Sequence, residues 1–200
     1  MFNIKIPFVI ATHGKKFSLI TALKNKSKAF AFGMVGTTLY FHDGTAVKSL
    51  GTYTPVSATG ATLALTQALH SNRTVVANRA AGVAFTLPAA TGTGDKYRII
   101  VGTTVTSNSL SVAVANSTDF MRGVAIFETD DAANVPQTFP TANTGTVATE
   151  SDTITFNRTT TGIATIGDFI EAEDIASAVW AVKVVANASG TEATPFSVAV

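Results

Sequence analysis

The chain contains no cysteine, which excludes a disulfide framework and every thiolate-based zinc site. Only 14% of its residues are charged and only three are histidine. Ionisable groups that could converge for acid–base catalysis are therefore scarce. Arginines are not interleaved with aromatic residues in the pattern that grips nucleic acid, so no direct nucleic-acid contact is expected. No apolar run reaches the ~20 residues of a membrane-spanning helix, so no membrane partner is expected.

What is present is a succession of short Thr/Val/Ala/Ile runs. From about Thr59 onward these are cut by Gly, Asn, Asp, Ser and Pro. Runs spaced at 8–12 residues predict an all-β chain, with a β-sandwich or jelly-roll body over residues 55–200. The predicted strands are Arg73–Ala77, Val83–Leu87, Tyr97–Gly102, Ser109–Ala115, Gly123–Phe127, Asp152–Asn157, Gly162–Ile166, Asp168–Glu173, Ala178–Val185 and Phe196–Val200. In the segment after Ala178, Trp180, Val182 and Val184 share one face, which predicts Trp180 in a core or a subunit interface. Ala61–His70 reads equally as a short helix or as a strand followed by a turn. Gly51–Gly60, polar and broken by Pro55, is the linker candidate.

Residues 1–54 read as a smaller β-rich arm or subdomain. Phe2, Ile4, Ile6 and Phe8 alternate at period two, which predicts a strand rather than an export signal. Asp43-Gly44 between two apolar runs predicts a hairpin turn. Within residues 1–50 seven lysines face Asp43 alone, so this segment carries +6 and the remainder −5. A basic arm on an acidic body reads as a solvated lysine-rich strand edge that discourages aggregation, or else as a contact for an acidic partner surface.

The motifs that invite chemistry fail on spacing. Thr91-Gly92-Thr93-Gly94-Asp95-Lys96 lacks the four residues a phosphate loop needs between its first Gly and the Gly-Lys pair, and a strand follows it rather than a helix. His13, His42 and His70 lie in separate segments without ligand spacing. Asp168, Glu171, Glu173 and Asp174 form the densest carboxylate group. Glu171 and Glu173 would share one face of a strand, but nothing in the sequence partners them for glycoside hydrolysis or calcium. No catalytic, cofactor-binding or metal site is therefore assigned. Glu171 and Glu173 are instead expected on an acidic edge that meets a partner. Thr86–Thr93 (TLPAATGT) and Thr138–Gly145 (TFPTANTG) echo one another, each opening a loop after an apolar run.

One resemblance covers Leu63 to Val200. Its carriers are SNRTVVAN, TLPAATGTGDKYRIIVGTTVTSNSLSVAVANSTDFMRGVAIF (Thr86–Phe127) and SDTITFNRTTTGIATIGDFIEAEDIASAVWAVKVVANASGTEATPFS (Ser151–Ser197). Leu-Pro-Ala-Ala-Thr-Gly before a Tyr-Arg strand and a closing Gly-Thr-Glu-Ala-Thr-Pro-Phe are its most specific motifs. In these the chain resembles the capsid decoration (cement) proteins of tailed bacteriophages. The resemblance implies a non-enzymatic homotrimer on the outer capsid surface of the virion, made in the bacterial cytoplasm, that clamps neighbouring major capsid proteins. The competing expectation is a receptor- or carbohydrate-binding module of a head or tail fibre; an enzyme is the third.

On this view Phe2, Ile4, Ile6 and Phe8 add a strand to a neighbour. Lys15, Lys16, Lys24, Lys26 and Lys28 face an acidic capsid patch or the next subunit, and Glu171 and Glu173 complete the interface. Deleting residues 1–54 should then abolish trimerisation or shell binding while the body still folds. Circular dichroism, light-scattering mass and co-sedimentation with shells read the three properties separately. A truncated protein that still trimerises and decorates shells would refute the role of the arm.

Overall fold

The computed structural model describes residues 31–35, 38–42, 47–50, 54–130 and 135–200. The chain divides into two compact units, Met1–Tyr53 and Thr54–Val200. In the first, β1 (Ala31–Val35), β2 (Thr38–His42) and β3 (Val47–Leu50) form an antiparallel meander, with Gly33 opposite Tyr40 and Tyr40 opposite Ser49. The Asp43-Gly44 turn and the strand over residues 2–8 lie outside the described residues.

Among its described residues the second unit is all β apart from one four-residue helical turn and one 3-10 turn. Its first six strands are β4 (Val56–Ala58), β5 (Thr62–Ala64), β6 (Arg73–Ala77), β7 (Ala84–Thr86), β8 (Lys96–Val101) and β9 (Leu110–Ala113). They alternate between two sheets. β4, β6 and β8 lie side by side in one, β5, β7 and β9 in the other, and every neighbour pair among them is parallel. Parallel neighbours need a long crossover, usually a helix. Here the crossover is a strand of the opposite sheet, which is how parallel pairing coexists with almost no helix.

The remaining strands extend both sheets. β10 (Phe120–Glu128), β11 (Gln137–Pro140), β13 (Phe169–Ala176) and β14 (Val179–Asn187) complete a seven-stranded sheet of order β11-β10-β14-β13-β8-β6-β4. β12 (Thr153–Phe156) and β15 (Phe196–Ser197) complete a five-stranded sheet of order β15-β12-β9-β7-β5. β13 is antiparallel to both β8 and β14, whereas β10 runs parallel to β14.

One hydrophobic core lies between the sheets. Tyr97, Ile99, Met121, Phe127, Ile170, Trp180 and Val184 enter it from the larger sheet, and Phe85, Leu110, Val112, Ile154 and Phe156 from the smaller. The alternation in β8 and β14 sets this directly, since every second residue is buried. Trp180 meets Tyr97 edge to face, with centroids 5.7 Å apart and planes at 70°. Each such fully buried large apolar side chain is worth about 1.5–3 kcal/mol.

Three local expectations change. Gly51–Gly60 is not all linker, because Val56–Ala58 is the edge strand β4 and Pro55 sits just before it, where no ladder N–H is required. Gly162–Ile166 is a loop, since the Asp168 carboxylate takes the amides of Ala164 and Thr165 that a ladder would use. Ala61–His70 resolves into strand β5 and the helical turn α1 (Gln67–His70). Among the described residues no helix is long and apolar enough to cross a membrane.

A close backbone approach demands glycine at some of the turns. Gly82, between β6 and β7, has φ +74°, and a Cβ there would sit 2.1 Å from the Ser109 carbonyl oxygen. Gly94 has the same backbone (φ +75°) but open space around it. Gly82→Ala should therefore cost clearly more than the ~1 kcal/mol of left-handed strain that Gly94→Ala shows. Urea midpoints of the two variants check the order; equal losses would mean that the close approach to Ser109 is unimportant.

Candidate functional site

The loops at the strand ends are organised by buried carboxylates. Asp119, Glu150, Asp152, Asp168 and Asp174 are all buried, five of the chain's 13 acidic side chains. Acidic groups are almost never buried unless paired, so each must have partners, and each does.

Asp174 accepts the backbone N–H groups of Thr91 (3.0 Å), Gly92 (2.7 Å) and Thr93 (3.1 Å), and the Thr93 hydroxyl at 3.0 Å. Glu150 accepts those of Thr144 (3.1 Å) and Gly145 (2.8 Å), and its other oxygen lies 2.5 Å from Arg122 Nη1. The sequence echo thus has a physical meaning. Thr91-Gly92-Thr93 and Thr144-Gly145-Thr146 are two backbone nests, each with a left-handed glycine (φ +80° and +76°) and each filled by a carboxylate of the same chain.

Asp168 accepts the amides of Ala164, Thr165 and Asn187. Asp119 accepts that of Ala90 and the Asn116 side-chain amide. Asp152 accepts those of Ala199 and Val200. The carboxylate group read from the sequence is therefore split. Asp168 and Asp174, buried just before β13 and near its end, tie down loops, while Glu171 and Glu173 face solvent between them.

That solvent face of the seven-stranded sheet is the candidate site. Register places Thr74, Arg98, Glu171, Lys183 and Val124 in one row across β6, β8, β13, β14 and β10. A second row holds Lys96, Glu173, Ala181 and Arg122. Lys96 Nζ lies 3.2 Å from Glu173 and Arg98 Nε 3.6 Å from Glu171. All four side chains are largely exposed, so each pair contributes only about 0–1 kcal/mol. Glu171 and Glu173 are thus in the middle of the sheet rather than on an acidic edge, with cations across the strand. Phe2, Ile4, Ile6, Phe8, Lys15, Lys16, Lys24, Lys26 and Lys28 lie outside the described residues.

A third row had no signal in the sequence. Val76, Ile100, Phe169, Val185 and Ile126 line up across the same five strands on the face away from the core, each partly exposed. Ile166, three residues before Phe169, is 65% exposed. Each strand hides this row, because its apolar residue there follows or precedes a core residue and reads as part of one apolar run. Arg98 stacks on Phe169 at 4.6 Å and Arg122 on Phe120 at 4.5 Å. Beside the charged rows lies an open depression of about 570 Å³, lined by Asn72, Arg73, Thr74, Lys96, Arg98, Glu171, Glu173 and Lys183 among others.

No family model, curated protein or solved structure matches this chain.

The remaining titratable groups serve structure. His70 is buried, and its Nδ1 accepts the Thr66 N–H at 2.9 Å. Burial, aided by the charge of Arg73, holds its imidazole below the usual range. Burial pushes the Tyr97 phenol up to about 12. Among the described residues no three His, Asp or Glu side chains group as metal ligands would.

The nests set an acid limit. The Arg122 hydrogen bond, against burial and with the Gly145 and Thr144 amides, draws Glu150 from 4.5 down to about 2. For Asp174 burial acts upward, but the amides of Thr91, Gly92 and Thr93 together outweigh it and hold it below the usual range. Unfolded carboxyls titrate at ordinary values, so the unfolded chain takes up these protons first. The stability from Glu150 is complete above about pH 4.5 and is lost as pH falls through about 2. Urea midpoints should drop across that window, and Glu150→Gln should flatten the drop. Asp174→Asn should cost about 1–3 kcal/mol at pH 7, because an amide cannot accept at both atoms. A pH-independent midpoint would remove the nests from the stability account.

Proposed function

We propose that the protein is a non-enzymatic virion structural protein, a decoration or cement protein whose β-sandwich body binds the outer surface of a phage capsid and stabilises the major capsid protein lattice. The observation that carries this is the solvent face of the seven-stranded sheet. An apolar row five strands wide, bordered by charge ladders, is the composition of a protein-docking surface rather than of an open solvent face. The resemblance of Leu63–Val200 to decoration proteins supports the same assignment, and so does the low charge of the chain, which suits burial between subunits.

The mechanism is linkage. A protein that binds the assembled lattice and not its dissociated subunits stabilises the lattice by its binding free energy, about 2.7 kcal/mol at a hundredfold excess over Kd. A homotrimer engaging three lattice sites multiplies that by avidity. The alternative, a receptor- or carbohydrate-binding module, is favoured by the open depression with its side-chain donors and acceptors at Asn72, Thr74, Lys96, Arg98 and Glu171.

The test is light-scattering mass of the purified protein, alone and with expanded empty capsids, followed by sedimentation. A stable trimer that pellets with shells and raises their melting temperature is expected. A monomer that ignores shells and binds on a glycan array would replace the proposal with its alternative.

A further inference from the structure

We infer that the helical turn α1 is an acid-sensitive latch: protonation of the His70 ring releases residues 66–71 from the loop before β8.

The latch is built on a weak element. α1 has four residues, too few to be stable by itself. Two backbone bonds close it, from His70 N–H to the Thr66 carbonyl and from Ser71 N–H to that of Gln67. The Thr66 side chain does not cap it, and no acidic side chain lies in its first turn. Side chains supply the rest. Gln67 Nε2 and Ser71 Oγ both donate to the Asp95 carboxylate. His70, the one buried residue of α1 and 4% exposed, turns its ring back onto the start of the turn. There Nδ1 accepts the Thr66 N–H at 2.9 Å and lies 3.2 Å from Thr66 Oγ1. The ring thus takes the amide that a capping side chain would otherwise take.

That hydrogen bond depends on the charge of the ring. A neutral imidazole has one acceptor nitrogen and an imidazolium has none. A proton on Nδ1 would set donor against donor at Thr66, in a buried site that disfavours the charge. Among the described residues the charges around the ring do not compensate. Arg73 of β6, held beside the turn by the carbonyl oxygens of Leu69 and Thr54, repels an imidazolium. Asp95, before β8, is engaged by Gln67, Ser71 and Thr93. Lys96 turns to Glu173. Burial lowers the affinity of the ring for a proton, the Thr66 backbone offsets part of this, and Arg73 adds to it. Hydrogen bonds from Ser71 and Thr93 hold Asp95 below the usual carboxylate range, so it stays charged while His70 titrates.

The open turn takes up the proton first, at the ordinary value of about 6.5, and the closed turn only at lower pH. The closed form is therefore fully favoured above about 6.5 and loses ground as pH falls towards the value of the buried ring. The opening has defined ends. Leu65 N–H is bound to the Thr86 carbonyl and Asn72 N–H to that of Lys96, so both flanks stay anchored to strands. Arg73 would lose its contact with Leu69, and Asn72 and Arg73 both line the open depression. The latch thereby couples acid to the rim of that depression, and it needs neither a shell nor a glycan.

The test is an NMR titration of the full-length ¹⁵N-labelled protein from about pH 8 to about pH 4. At the upper end the ring nitrogens should report a neutral His70 with its proton on Nε2, and its midpoint should lie below about 6.5. Amide exchange, corrected for its intrinsic pH dependence, should accelerate at Thr66, His70 and Ser71 by up to about tenfold per pH unit below about 6.5, the slope of one proton. Leu65 and Asn72 should keep their protection. His70→Asn, whose Oδ1 accepts the Thr66 N–H without titrating, should abolish the acceleration. Asp95→Ala should leave the same amides fast at every pH. A His70 midpoint at or above the ordinary value, exchange at Thr66 that ignores the titration of His70, the wild-type acceleration in His70→Asn, or full protection in Asp95→Ala would overturn the latch.

Discussion

The buried carboxylate that accepts backbone N–H groups is the interaction on which the rest of this structure depends. A body with almost no helix has many turns, and each turn leaves amides that no ladder satisfies. A buried amide left unpaired costs about 1–3 kcal/mol. A carboxylate offers several acceptor positions, so one side chain can satisfy a whole turn. Asp174 does so for three consecutive amides, fixing the loop before β8 onto the end of β13. Asp168 ties the loop before β13 to the end of β14. Asp119 joins the end of the β9–β10 connection to Ala90, and Asp152 holds the last two residues of the chain. Strands that are distant in sequence are thereby held in register at their ends as well as along their ladders.

This use of charge explains the composition. Five acidic groups are inside, doing the work that helix dipoles and caps do elsewhere. Few remain for the surface, and on the large sheet Glu171 and Glu173 are matched by cations across the neighbouring strand.

What the sequence made legible was the period, not the partners. In β14 alternation identified both the strand and the face shared by Trp180, Val182 and Val184, which is buried, while β6 and β8 were legible as strands. Nothing local says that β6 pairs in parallel with β8 through a strand in the other sheet, since parallel and antiparallel strands of this length share one pattern. Gly162–Ile166 has a strand's composition and fails as one because Asp168, two residues on, competes for its amides. β11 was missed because Gln137–Pro140 is short, polar and ends in proline. The solvent-face row was invisible for a different reason. Its five members lie on five strands, and only the register brings them together. The arm residues that carried most of the expected interface, 2 to 28, fall outside the described residues.

The edges of the two sheets are poorly suited to association. β4 has three residues and follows Pro55; β5 has three; β11 has four and ends at Pro140; β15 has two and follows Pro195. Short edge strands bordered by proline are poor templates for adding another strand. Unwanted edge-to-edge pairing is thus suppressed at all four edges, while the middle of the large sheet keeps an apolar row that a solitary protein would replace with polar residues. On the decoration proposal, a molecule with blunt edges and such a face associates through its side chains rather than through its backbone. Side chains in a fixed register carry shape and charge, so such a face can discriminate among partners in a way that an open edge cannot.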